Sequence, residues 1–400
     1  MPKHPSELPS GVRPTDMLTV TQFAIVFPLD AIRAALEKFD CGTVRERCLT
    51  NESVVYFVMM LALFRSFSHR EVFRCVAEAL QLLNGKPVED IVIPSHSGLS
   101  RARIRVKAVA LKELFHTFAK PCANAGRQGA RFKGWTKYAL DGCMMNVEDT
   151  KANKEHFGAA TNQHQTKSRN PQLRWVGLME VGTHIFVSAE EGGYHDGEIT
   201  LAKKLIPSMT SDMVILADRN FYSFEFYKQI TQSAKAALVF RVQAGMVFER
   251  VKQLDDGSHI IKIYDAKDRR KEAPLEARFI QYKVTGAPSK ETIFLITSIL
   301  DPEAANAEEI AQLYHERWEY ENALDEFKTH MGAGSIVMRS KTPELVLQEY
   351  WATMMTFLVI RKNMSEAAAR MKLDSDRLSF THTIQVVKRA VLKATGDFSP

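Results

Sequence analysis

Between Tyr314 and Lys328 the sequence reads YHERWEYENALDEFK. On a helix turning about 100° per residue, Tyr314, Arg317, Glu321 and Lys328 fall within roughly 60° of arc. They make a stripe about 21 Å long at 1.5 Å rise per residue, with one carboxylate between cations. Leu313, Tyr320, Leu324, Phe327 and Met331 share the adjoining apolar face, expected to be buried. Glu316, Glu319, Asn322 and Glu326 are expected to point toward water. The stripe would thus border both a core and a cleft. On spacing alone it is equally an amphipathic helix with surface pairs such as Arg317–Glu321.

Two aspartates join it. Asp141 interrupts the apolar run YALDGC, and Asp218 ends VILADRNF. A charge inside a strand is costly unless it is paired or bound to metal. Either aspartate alone is ordinary in an α/β fold. Two strand carboxylates and one from a later helix can converge in a cleft, where oxygen donors suit Mg²⁺ or Mn²⁺ better than zinc. Two such ions about 3.5–4 Å apart would activate water or a 3′-hydroxyl against a phosphodiester. Other chemistries fit poorly. HERWE (315–319) has Glu319 where a zincin needs its second His, and no P-loop, dinucleotide fingerprint or G-x-S-x-G is present. The GYHDGE turn (193–198) reads as the opening of a helix, with a metal role as the lesser alternative. Trp318 and Trp351 read as core residues.

These side chains need a scaffold. A chain of 400 residues, 45% hydrophobic and 25% charged, is long enough for two or three domains with a sizeable core. A net charge of +6 permits nucleic acid as partner without requiring it. Five cysteines without a C-x-x-C pair fit a reducing cytoplasm and no disulfide framework. The start is polar and Pro-rich, unlike a signal peptide, and VVYFVMMLALF (54–64) is too short to span a bilayer.

Residues 18–120 carry helical periodicity, with helices expected to start at Asn51, Ser68 and Ser100. Arg101, Arg103, Arg105 and Lys107 on the last of them would suit a DNA-binding bundle; helices alone favour a plain helical domain. From about 136 the pattern turns to strands at KYALDGCMMNV, RWVGLMEVG, HIFVSAEEG, DMVILAD and KAALVFRV, with helices at about 196–206 and 223–233: an α/β layout on a mixed sheet. Residues 243–300 are β-rich, with an Asp-Gly hairpin signal and a basic KDRRK loop (267–271). The charged helix is expected to run from an Asn306–Glu309 capping box to Gly332, and residues 343–395 are helical again.

Tyr314, Arg317, Glu321 and Lys328 together match Y-x(2)-R-x(3)-E-x(6)-K, which resembles the YREK signature of the insertion sequence 4 family of DDE transposases. LDGCMMNVEDT around Asp141 resembles the first catalytic motif, and LADRNFYS around Asp218 the second, with Asn220 where the usual form has Gly. Asn also tolerates a left-handed backbone. The helical start and RSKTPELVLQE near the C-terminus resemble the family's terminal parts, so the resemblance covers nearly the whole chain.

The resemblance implies an RNase H-like mixed sheet with a β-rich insertion, preceded and followed by helical domains. The expected boundaries are 1–125 for a helical DNA-binding domain, 130–342 for the catalytic domain with its insertion at about 243–300, and 343–400 for a helical segment. It implies a bacterial, cytoplasmic, nucleoid-associated transposase that binds terminal inverted repeats and target DNA as a homodimer. It moves the element by cut-and-paste through a hairpin intermediate, with no membrane partner. Asp141, Asp218 and Glu321 would be catalytic and would hold two Mg²⁺ (or Mn²⁺) ions; Tyr314, Arg317 and Lys328 would hold DNA phosphates. The positional rivals are Asp149 for Asp141 and Asp325 for Glu321. Lys151, Lys154, Lys167, Arg169 and Arg174, with KDRRK, are further candidate phosphate contacts. The resemblance also implies a flipped base on an unspecified aromatic of the insertion. The alternatives are an inactive or domesticated relative that only binds DNA, and an RNase H-like nuclease without end specificity.

Overall fold

The computed structural model describes residues 22–42, 49–83, 93–123, 129–160, 170–268, 270–283, 292–331 and 337–392. The Pro-rich start, Lys167, Arg169, Arg269 and Gly332 therefore lie outside the described residues.

The N-terminal part packs α1 (Leu29–Lys38), α2 (Asn51–Leu63), α3 (His69–Leu83), α4 (His96–Ile104) and α5 (Ala108–Phe118). Helix α2 is apolar on every side, so it is the buried centre of this bundle. Its cap is Thr50, which accepts from the Ser53 amide, and not Asn51, whose side-chain amide donates to the Cys41 and Gly42 carbonyls. Ser68 caps α3 as expected. Ser100 caps nothing: Ser95 opens α4, and the helix expected over 100–119 breaks at Arg105–Lys107. At the break the Arg105 guanidinium turns inward and donates to Asn51 Oδ1 and Leu49 O, both at 2.8 Å.

The sheet carries ten strands among the described residues: β1 (Arg131–Phe132), β2 (Trp135–Asn146), β3 (Gln172–Glu180), β4 (Ile185–Gly192), β5 (Met213–Ala217), β6 (Ala237–Arg241), β7 (Glu249–Gln253), β8 (His259–Ile263), β9 (Leu275–Lys283) and β10 (Thr292–Thr297). Helices α6 (Lys151–Phe157), α7 (Glu198–Lys203) and α8 (Phe224–Lys228) connect them. The order is β4-β3-β2-β5-β6-β10-β9-β8-β7, with β1 on β2. Strand β3 runs antiparallel to both β2 and β4, while β2, β5 and β6 run parallel. Three meandering strands followed by two parallel ones beside the first give the RNase H-like topology. Strands β7–β10 do not form a separate layer. They extend the same sheet, because β10 pairs with β6 over Leu295↔Arg241 to Thr297↔Val239. The Asp255–Gly257 turn links β7 to β8, with Gly257 at φ +80°. Strand β5 is buried along its whole length, as a parallel strand covered on both faces must be.

Beyond the sheet come α9 (Ala307–His315), α10 (Trp318–Asp325), α11 (Pro343–Met371) and α12 (Phe380–Leu392). The Asn306–Glu309 capping box opens α9. The charged helix is not continuous, however. It tightens at Glu316 and Arg317, whose amides donate three residues back to Leu313 and Tyr314, and it widens into a π-turn over Glu326–His330. Helix α11 serves two cores. Thr356 Oγ1 donates to Met59 O and Gln348 Nε2 to the Arg103 and Val106 carbonyls, while the Phe357 ring meets Phe186 and Phe327 on the sheet side at 5.5 and 5.6 Å. Among the described residues no helix is long and apolar enough to cross a membrane.

Candidate active site

The parallel register of β2 and β5 ends on Leu140↔Ala217. The next residue on each strand is an aspartate, so Asp141 and Asp218 stand side by side at a strand spacing of about 4.8 Å. The chain leaves β2 toward β3 on one side and returns to β5 on the other. Such a switch point opens a crevice at the carboxyl ends of parallel strands.

Asp141 Oδ1 accepts from the Gly142 amide at 2.7 Å, and its carbonyl accepts from the Tyr320 hydroxyl at 2.7 Å. Burial, with the Asp218 charge adding to it, pushes the Asp141 carboxyl up to about 6; the Gly142 amide and Arg317 pull the other way. Asp218 caps the short turn after β5. Its Oδ1 accepts from the Asn220 amide at 2.8 Å and its Oδ2 from Asn220 Nδ2 at 3.2 Å. Asn220 has no positive φ, so it is the side chain and not a left-handed backbone that distinguishes this position.

The helical stripe arrives from α9 and α10. Arg317 Nη1 lies 3.3 Å from Asp141 Oδ2 and its Nη2 2.9 Å from Glu321 Oε1, so one guanidinium spans two of the three carboxylates. The Tyr314 hydroxyl is buried beside Arg317 without a well-formed hydrogen bond, and Arg317 Nε is likewise unpartnered. Lys328, on the π-turn, reaches Cys143, two residues along β2 from Asp141 and on the same face. Its charge partly offsets the burial that raises the Cys143 thiol to about 11. All six singled-out residues thus gather around Asp141–Cys143 of β2, where its pairing with β5 has stopped. The rivals turn elsewhere: Asp149 pairs with Lys154 at 2.7 Å, and Asp325 with His330 at 3.3 Å and Thr329 at 2.7 Å.

Several expectations are corrected. Glu316, Glu319 and Glu326 do not simply face water: Glu316 pairs with Lys137, Glu319 with His184 at 3.1 Å, and Glu326 with Arg361. The helix is flanked by the sheet on one side and α11 on the other, so its polar face meets partners. Trp318 is 59% exposed: four residues after Tyr314 it stands about 40° round the helix, opposite the apolar face, whereas Trp351 is fully buried as expected. In the bundle, Arg103 and Arg105 are tied inside the fold, Lys107 donates to Phe39 O, and Arg101 bonds to Ser97 O on the surface.

Two further residues neighbour the site, one of them an acid of the GYHDGE turn for which a metal role was the lesser expectation. Tyr320, assigned only to a buried face, clamps β2 to β3 by donating to the Asp141 carbonyl and, at 3.3 Å, to that of Gly177. A Cβ on Gly177 would come within 3.0 Å of that hydroxyl. Glu198, the last residue of GYHDGE and the first of α7, lays its carboxylate over Gly142, where a Cβ would meet it at 2.9 Å. Beside Asp218 lies a cavity of about 590 Å³ whose walls include Arg219, Tyr222, Met246, Val247 and Tyr264. Lys271 Nζ sits 5.4 Å from the Tyr264 ring centroid.

The oxygen donors of Asp141, Asp218 and Glu321 fit a hard divalent cation. Among the described residues no three potential ligands already stand close enough to share an ion. Arg317 neutralises two of the carboxylates instead.

Residues 17–116 match the family model described as the insertion element 4 transposase N-terminal domain, and residues 136–357 match the transposase DDE domain. The chain is 26% identical over 376 residues to the transposase InsG for insertion sequence element IS4 of Escherichia coli (strain K12), covering 92% of this chain and 82% of that protein. It is 25% identical over 211 residues to the putative transposase InsZ of the same organism, covering 52% and 67% respectively. A solved piggyBac transposase synaptic complex with hairpin DNA superposes with a TM-score of 0.48 at 13% identity, over 96% of this chain and 81% of that one.

Proposed function

The chain belongs to the DDE transposases of the insertion element 4 group, and on that premise we propose that it binds the terminal inverted repeats of its element and moves it by cut-and-paste. Water cuts the first strand at each end. The freed 3′-hydroxyl then attacks the opposite strand to give a hairpin, which is reopened before strand transfer. The working form is a homodimer on paired ends, acting on the nucleoid of a bacterial cytoplasm. End recognition falls to residues 1–125 and chemistry to residues 130–342, with residues 343–400 as a helical segment.

The observation that carries this reading is Arg317 spanning Asp141 and Glu321 beside Asp218. Acidic ligands and phosphate-seeking cations share one crevice. Asp141, Asp218 and Glu321 would hold two Mg²⁺ (or Mn²⁺) ions. Such a pair activates the attacking oxygen and stabilises the leaving one in every in-line displacement of the sequence. The protein's own part is positional. Asn220 and the Gly142 amide orient the two aspartates, and Tyr320 fixes the strand that carries Asp141. With the carboxylates turned to cations, the Arg317 fork is free for a phosphate oxygen, which a guanidinium binds in bidentate fashion. The unpartnered Tyr314 hydroxyl and Arg317 Nε are donors for the same group. Lys328 holds a phosphate further along the strand. The cavity beside Asp218, with Tyr264 in its wall, takes a base turned out of the stack.

The test is a duplex bearing the element's inverted repeat, incubated with Mg²⁺ and the full chain. We expect a nicked product, then a hairpin visible on a denaturing gel, and neither with Asp218→Asn. End binding without any cleavage by the wild type would favour the DNA-binding-only relative. Cleavage regardless of end sequence would favour a general nuclease.

A further inference from the structure

Where the N-terminal bundle meets α11 lies a cavity of about 70 Å³, with Arg65, His69, Arg103, Arg339, Ser340 and Glu349 in its wall. That is a little over twice the roughly 30 Å³ a water molecule occupies in the liquid. Three guanidinium groups meet a single carboxylate there, which leaves two positive charges in excess. Glu349 is already engaged at both oxygens, by Arg65 Nη2 at one and by the Ser340 hydroxyl at the other, at 2.8 Å. Arg103 spends Nε on Gln348 and Nη2 on Ser340. Arg65 is 6% exposed, yet its Nη1 has no hydrogen-bond partner, and neither does the buried Nδ1 of His69. Arg339 is exposed at the wall and makes no ion pair among the described residues.

Buried guanidinium donors left unsatisfied beside an excess of positive charge are costly unless an anion completes them. Arginine forks match the oxygens of a tetrahedral oxyanion. We propose that this cavity is an anion site that seats one phosphate group on Arg65, Arg103 and Arg339. Met338, next to Arg339, bridges Val147, six residues beyond Asp141 along the chain. At about 3.3 Å per residue that is on the order of 20 Å from the catalytic carboxylates, so this is a second site. The cationic surroundings are also felt by His69, which burial first, and then Arg103, His96 and Arg339, hold down at about 4. On the transposase reading, the group is a DNA backbone phosphate entering past Arg339. The same pocket chemistry accepts free phosphate.

The experiment measures the melting temperature of the full chain in inorganic phosphate against chloride at matched ionic strength and constant pH. Wild type should gain on the order of 1–3 °C in phosphate. Arg339→Ala, a surface change, should lose most of that gain while melting normally in chloride. Arg65→Lys keeps a cation for Glu349 but removes the free fork, and should lose it too. No gain in wild type, or an equal gain in both variants, overturns the site. DNA binding against salt then separates the sources. A slope smaller by about 0.9 in Arg339→Ala marks a backbone phosphate, whereas an unchanged slope with the phosphate gain lost marks a free ion; either supports the site. The melting measurement contains no DNA, so absence of cleavage in the wild type would count against the transposase reading and leave the anion site standing.

Discussion

Arg317 stands between Asp141 and Glu321, 3.3 Å from the first carboxylate and 2.9 Å from the second. One cation from the helix therefore holds together two acids that lie 180 residues apart in sequence (141 and 321). The same contact makes the two kinds of residue on the stripe separable by mutation.

Glu321→Gln removes a charge while keeping size and a hydrogen-bond acceptor for Arg317. It should abolish cleavage and leave end binding equal or tighter, because a negative charge near phosphate is gone. Lys328→Ala should instead weaken end binding several-fold and lower the salt slope by about 0.9. A gel-shift and a cleavage assay on one transposon-end duplex with Mg²⁺ measure both. Normal cleavage by Glu321→Gln would falsify the assignment, and identical loss of binding in both variants would mean only that the helix had misfolded.

Asn220 supplies Asp218 with one main-chain and one side-chain hydrogen bond. Asn220→Gly keeps the first and loses the second. A solvent-exposed bond of this kind to a charged group is worth about 1 kcal/mol, so single-turnover cleavage should slow by about fivefold with end binding unchanged. A loss of a thousandfold would mean that Asn220 touches the reacting groups.

Besides lining the anion cavity, Arg103 ties the bundle to α11. Its Nε meets Gln348 Oε1 at 2.9 Å and its Nη2 meets Ser340 and the Leu345 carbonyl, all belonging to α11 or the segment leading into it. Arg103→Leu orphans buried acceptors and should cost about 2–4 kcal/mol in urea unfolding. The salt slope of end binding should drop by no more than one contact.

The low His69 value has a consequence for stability. The unfolded chain takes up the proton near the ordinary histidine value, while the folded chain resists until about 4. Between those values the unfolded state binds more protons, so stability falls as pH falls through that window. His69→Gln should remove this component. The wild-type urea midpoint minus that of the variant, measured across the window in phosphate-free buffer, should fall as the pH falls. A constant difference would show that His69 titrates alike in both states.

Much of the site was legible because its residues break local rules. Asp141 and Asp218 are charges set into apolar strands, and the Tyr314–Lys328 spacing survives as one neighbourhood. What was not legible depends on the third dimension. The tightening at Glu316–Arg317 and the π-turn under Lys328 lie in a helix flanked by the sheet and α11, and no glycine or proline announces them. Trp318 is different: at about 40° from Tyr314 it stands opposite the apolar face even on an uninterrupted helix, so its exposure was legible in the spacing. Thr50 took the cap expected of Asn51 because Asn51 had carbonyls of the preceding loop to satisfy. Tyr320 and Glu198 reach Asp141 only through the pairing of β2 with β3 and the placement of α7, which no sequence spacing encodes. The β-rich stretch was recognisable as strands, but its attachment to β6 as a continuation of one sheet was not.

Helix α11 also sets an order of events in the cell. The bundle around α2 needs Gln348 and Thr356 to close it, and those residues leave the ribosome nearly 300 positions after Met59. At about 5–20 residues per second, the first helices wait on the order of 15–60 s for their last partner. Arg317 and Glu321 emerge shortly before that partner does. A nascent chain is therefore without its third carboxylate until Glu321 is made, and without a finished bundle until Thr356 is made. On the transposase reading, binding and cutting competence would arrive together, and a ribosome stalled before Glu321 would release a chain unable to nick the genome beside it.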